Sequence, residues 1–119
     1  MATAVKRRFS ASTNGRGIKI GATATPGTGI HVAVPGTIAG TFDELWLYAF
    51  NSDSVDRLLT IEFGGVTDPD DLIEMTIPTQ AGVIIVVPGL ILQNGVSVAA
   101  FAAATNVIVV YGFVNRITD

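Results

Sequence analysis

Cysteine is absent from this 119-residue chain, so a disulfide framework, a thiolate nucleophile and a thiolate metal site are all excluded. Histidine occurs once, at His31. A Ser-His-Asp triad would have to use it, yet no serine stands in a nucleophile elbow. Gly15-x-Gly17 and Gly27-x-Gly29 lack the further glycines and the following helix of a phosphate or dinucleotide loop, and read as turns. Long apolar runs are missing as well: a membrane-spanning helix needs about 20 consecutive apolar residues, and Pro78, Gln80, Pro88, Gln93, Asn94 and Asn106 break every candidate. The basic start, Met1 to Arg8, has no apolar run behind it of the kind a secretory signal carries. Charged residues make up only 14% of the chain, against about a quarter in an ordinary globular protein. Apolar residues make up 49%. One domain of this size cannot hide so much apolar surface alone, so other chains are expected to cover part of it.

The charge that is present is divided along the chain. Lys6, Arg7, Arg8, Arg16 and Lys19 all precede the first acid, Asp43; from there on ten acids face only Arg57 and Arg116. Residues 1–17 read as an extended basic N-terminal arm with Val5 and Phe9 as its apolar anchors. Lys6, Arg7, Arg8, Phe9 and Arg16 are the residues expected to dock on an acidic neighbouring surface, a solvated tail being the plainer alternative. Direct nucleic-acid contact is not expected, because such sites interleave aromatics with cations and only Phe9 is available.

Residues 18–119 read as a single β domain. From Met75 to Asn115 no charged residue interrupts a series of β-branched and small side chains. Eight or nine short strands separated by Gly, Pro and Asn turns, with almost no amphipathic helix, predict an all-β antiparallel sandwich of jelly-roll type. Ile18 to Ala24 and Ile30 to Val34 alternate as a hairpin around Pro26-Gly27, with His31 opposite the apolar face. Asp43 to Asn51 carries large residues on both faces, as a doubly covered strand does. Val83 to Val87 reads as a central strand, and Asn94-Gly95 as the turn of a hairpin. Val98 to Ala104 reads as a strand in spite of its helix-prone alanines. The second apolar faces of Asp43 to Asn51 and Val107 to Val114 mark the expected oligomer interface: Trp46, Tyr48, Phe50, Val110 and Val114.

Other chemistry has thinner support. Glu62, Asp68, Asp70, Asp71 and Glu74 could supply oxygens to Ca2+, but their spacing is not that of a calcium loop, and Asp68-Pro69 fits the start of a short helical turn. Glu62 and Glu74 could form a glycosidase pair, but a polar substrate cleft is lacking. No enzymatic activity, cofactor or metal is expected. Trp46 and Tyr48 could stack on sugar rings, which keeps a lectin-like module open as an alternative.

At Leu58 to Gly65 (LLTIEFGG), Ile77-Pro78, Val87 to Leu90 (VPGL) and Gly112 to Ile117 (GFVNRI), the chain resembles small head decoration, or cement, proteins of tailed bacteriophages. That resemblance implies a β-sandwich made in the host cytoplasm and carried on the virion surface. It implies a homotrimer that clamps adjacent major capsid protein subunits, with no membrane partner. A tail or head-tail connector protein is the neighbouring alternative.

Overall fold

Period-two alternation sets the architecture, and it is clearest in the strand Phe42–Asn51. Its inward row, Asp43, Leu45, Leu47, Ala49 and Asn51, is fully buried, while Phe42, Glu44, Trp46, Tyr48 and Phe50 keep partial exposure on the other face. The computed structural model describes residues 2–119. Nine strands follow in order: β1 (Thr3–Arg8), β2 (Ile18–Lys19), β3 (Thr28–Val32), β4 (Phe42–Asn51), β5 (Arg57–Phe63), β6 (Leu72–Ile77), β7 (Ile84–Leu92), β8 (Ser97–Ala102) and β9 (Ile108–Thr118). They form two antiparallel sheets. Sheet I has the order β1-β9-β4-β7, with β2 also on β9, and sheet II has the order β3-β8-β5-β6. From β2 onward every connection except β5 to β6 crosses between the sheets. The apolar inward faces of the two layers form one core, including Ile20, Ile30, Leu45, Leu47, Leu59, Ile61, Ile77, Val87, Val98, Ile108 and Val110.

The sandwich and the strand at Ser97–Ala102 agree with the alternation read from sequence; several pairings do not. Ile18–Lys19 joins β9 in sheet I and Thr28–Val32 joins β8 in sheet II, so the expected hairpin around Pro26-Gly27 is instead a crossing. Asn94 and Gly95 do adopt left-handed backbone, at φ of 63° and 68°. They too carry the chain from sheet I to sheet II, with Gly95 N–H donating to the Val34 carbonyl. A left-handed pair fixes a sharp reversal, but not which strand lies beside it. β7, expected to be central, is an edge strand, and its outer side chains Ile85 and Ile91 stay in solvent. Pro88 fits there because an edge strand tolerates a missing donor; the β4–β7 register shifts beside it. No helix occurs among the described residues: Thr67 to Asp71 is a turn closed by Asp71 N–H to the Thr67 carbonyl.

The basic segment expected to be an arm is a strand over Thr3–Arg8, paired along its whole length with β9 from Thr3↔Thr118 to Arg8↔Phe113. Phe9 is not a contact residue but a core residue, 1% exposed, with its ring seated over Gly112. Gly112 has φ +147°, and a Cβ there would meet the Phe9 ring at 2.9 Å, so the missing side chain makes the room that Phe9 fills. Truncation of so large a buried ring leaves a cavity, so Phe9→Ala should lower stability by about 3–5 kcal/mol. Val5→Ala, on an exposed strand position, should stay within about 0.5 kcal/mol. Denaturant midpoints of the two variants check this; equal losses would remove Phe9 from the core.

Candidate functional site

Two groups of side chains lie on the two faces of β9. The first is a buried polar cluster on the inward side. The register of β3 on β8 shifts between Gly29 and His31, a bulge that turns both Ile30 and His31 inward. His31, which alternation alone places opposite the apolar face, is therefore 4% exposed. Ser10 N–H donates to His31 Nδ1 at 3.0 Å, which leaves the ring proton on Nε2 to be donated to Asp43 Oδ2 at 2.7 Å. Asp43 also accepts from Arg116 Nε at 2.8 Å and Nη2 at 2.9 Å, and from Val34 N–H at 3.1 Å. Burial pushes the Asp43 carboxyl up, but the Arg116 and His31 hydrogen bonds outweigh it and hold the group below the ordinary aspartate value. The same ion pair raises Arg116. Above this cluster Arg7, Arg8, Arg116 and Val32 line an open cleft of about 450 Å³. The sequence offered no sign that Arg116 would meet the basic start of the chain; antiparallel pairing of β1 with the end of β9 brings them together.

The second group is the outward face of sheet I. Direct pairing aligns Phe42 with Ile117, Glu44 with Asn115, Trp46 with Phe113, Tyr48 with Tyr111 and Phe50 with Val109. Ile91 and Ile85 extend two of these rows on β7, and Lys6, Arg8 and Lys19 end three rows on β1 and β2. Six of the nine aromatic residues thus share one face. The Trp46 and Phe113 rings stack with centroids 6.5 Å apart, and Lys6 Nζ lies 4.1 Å from the Phe113 centroid. Trp46 also covers Gly89, whose φ is +76°; a Cβ there would meet the indole at 2.8 Å. Glu44 accepts from the Trp46 indole N–H at 2.7 Å and from Asn115 at 3.1 Å, and these bonds lower its carboxyl. The polar groups nearest Trp46 are therefore turned onto one another, which weakens the sugar-platform alternative.

Trp46, Tyr48 and Phe50 lie together on this face. Val110 and Val114, expected beside them, are fully buried, because even-numbered residues of β9 point into the sandwich. The partners on the outward face are the odd-numbered Val109, Tyr111 and Phe113. Arg16 lies next to Tyr111 at its rim, in a shallow cleft with Gly17, Lys19 and Val109. The acids considered for Ca2+ do not converge: among the described residues no group of three or more potential ligands could hold a metal ion. Glu62 is buried and accepts from Thr25 Oγ1 at 2.6 Å and Gly27 N–H at 2.7 Å. That also occupies the carboxylate considered for a glycosidase pair.

The Asp43 cluster gives stability a defined pH response. A carboxyl held below its unfolded value, about 3.9, stabilises the fold above that pH and loses its contribution as pH falls through the folded value. Acid unfolding should therefore steepen below about pH 4. Asp43→Asn, which strips Arg116 and His31 of their shared acceptor, should cost about 3 kcal/mol at neutral pH and flatten the acid limb; urea titrations from pH 3 to 7 measure both. Comparison of the chain with protein-family models, with curated proteins and with solved structures gives no match, so its function is read from these two faces of β9 and from the sequence.

Proposed function

We propose that this chain is a structural subunit of a tailed-phage head: a decoration protein, acting as a homotrimer, that binds the outer capsid surface and clamps neighbouring major capsid subunits. One observation carries the reading, the outward face of sheet I, where six aromatic side chains lie in register beside exposed Ile85 and Ile91. Apolar area gathered on one face of a small domain marks a surface that assembly covers. Lys6, Arg8, Arg16 and Lys19 fringe that face on one side and suit an acidic neighbour, adding steering and salt dependence to the apolar contact. The strand orders β1/β2-β9-β4-β7 and β3-β8-β5-β6 support a jelly-roll assignment, a topology shared by capsid proteins and lectins. β1 takes the part first assigned to an arm: it extends sheet I and brings its cations to the rim.

The test is co-sedimentation of the protein with purified expanded heads that lack it. Ile91→Glu and Ile85→Glu, both on exposed β7 positions, should each weaken binding at least tenfold while leaving the folded spectrum unchanged. Binding should also weaken as salt rises from 50 to 500 mM. Unaltered capture of both variants at every salt concentration would discard the outward face as the docking surface. Quenching of Trp46 fluorescence by simple sugars would favour the lectin-like alternative instead.

A further inference from the structure

Two sandwich edges remain open among the described residues, and they carry opposite charge. The β3 edge is closed by the chain itself, since Ala11 N–H donates to the Ile30 carbonyl and Val32 N–H to Ser10 Oγ. The β7 edge is interrupted by Pro88, which has no donor. That leaves β1 at the end of sheet I, with Lys6, Arg7 and Arg8, and β6 at the end of sheet II, with Glu74 and the adjoining Asp70 and Asp71. Both strands are six residues long.

Hydrogen-bond alternation fixes which residues each edge presents. Ile20 N–H donates to the Ile108 carbonyl, and the Val107 carbonyl accepts from Ser52 N–H. With no register shift along β4–β9, even-numbered residues of β9 direct their backbone groups to the β1 and β2 side. Their β1 partners are Thr3, Val5 and Arg7, so Ala4, Lys6 and Arg8 present N–H and C=O to the open edge. On β6, Phe63 N–H donates to the Asp71 carbonyl; in that unshifted register Ile73, Met75 and Ile77 bond to β5. Leu72, Glu74 and Thr76 therefore face outward along the open edge, Leu72 N–H being already turned to the Pro69 carbonyl.

We propose that copies of this chain associate head to tail, β1 of one copy pairing antiparallel with β6 of the next so that Lys6 stands opposite Glu74. In that register Arg8 meets Leu72 and Ala4 meets Thr76. These six side chains all lie on the outward faces of their sheets, so sheet I of one copy continues into sheet II of its neighbour without inverting a face. The inward row then sets Val5 against Met75 and Thr3 against Ile77, while Arg7 and Arg8 lie beside Asp70 and Asp71. The symmetric alternatives fail on charge. Two β1 edges would gather six cations along one short ladder, and two β6 edges would oppose their acids, each of which is unfavourable across paired strands. A heterologous contact of this kind closes into a ring or runs on as a filament. It needs no capsid and stands apart from the docking reading above.

The absence of cysteine makes the test direct. Ala4→Cys and Thr76→Cys are separately purified, mixed under mild oxidation and analysed for disulfide-linked dimers; directly paired strand positions lie about 5.5 Å apart, within disulfide reach. Mixed dimers, each joining one Ala4→Cys chain to one Thr76→Cys chain, should exceed either symmetric dimer at least tenfold. In sedimentation equilibrium without capsids, Glu74→Lys or Lys6→Glu alone should weaken self-association at least tenfold, and the double variant should restore it. Symmetric cross-links, no cross-links, or a double variant no better than the singles would overturn the pairing. Heads that still capture such a protein would leave the proposed function standing while this edge contact falls.

Discussion

The inward row of β4 is the constraint on which the rest of the molecule depends. Asp43, Leu45, Leu47, Ala49 and Asn51 are all sealed from solvent, polar at both ends and apolar between. At one end Asp43 gathers Arg116, His31 and Val34; at the other Asn51 donates to the Val55 and Ile77 carbonyls at 2.9 and 3.0 Å. A buried polar group left without partners costs far more than a satisfied one returns, so these two residues dictate where the loops at each end of the sandwich must pass. The apolar middle accepts many packings. Its polar ends accept one.

The Asp43 end also explains the position of the cations on β1. Arg116 must reach inward to Asp43 from β9, and β1 pairs alongside with Val5 opposite Arg116. Phe9 then turns into the space over Gly112 and Ser10 N–H reaches His31. A segment whose composition suggests a loose tail is thereby held along β9 and fastened at the C-terminal end of its strand. Its side chains nevertheless remain exposed along the whole strand. The outward aromatic face follows from the same strand pair, since what β4 and β9 do not direct inward at alternate positions they display outside.

Strand existence was legible in the sequence because period-two alternation and Gly, Pro and Asn punctuation are local signals. The neighbour of each strand was not. Asn94-Gly95 has the backbone expected of a hairpin turn yet spans the two sheets, and Pro26-Gly27 does likewise, because choice of partner depends on burial across the whole sandwich. Face assignment on β9 failed for a related reason: Val107 to Val114 is apolar at every position, so parity could not separate Val110 and Val114 in the core from Tyr111 and Phe113 outside. Trp46, Tyr48 and Phe50 fall together because they share one parity of β4; which of its two apolar faces turns outward is decided only by the packing of the whole sandwich. His31 was misplaced by a bulge, which shifts alternation by one residue and leaves no mark in composition.

The place of β9 in the chain has a consequence for how the protein is made. It pairs with β1, β2 and β4, and it is the last of the nine strands to be synthesised. Until it emerges, sheet I has no centre: β1 and β2 have no partner in the sheet, and β4 has β7 alone. Sheet II, assembled from β3, β8, β5 and β6, can be complete while half of the core still lies open to water. Folding is therefore dominated by distant contacts and gated by a final step, a regime that is slow and exposes nascent chains to chaperones and to one another.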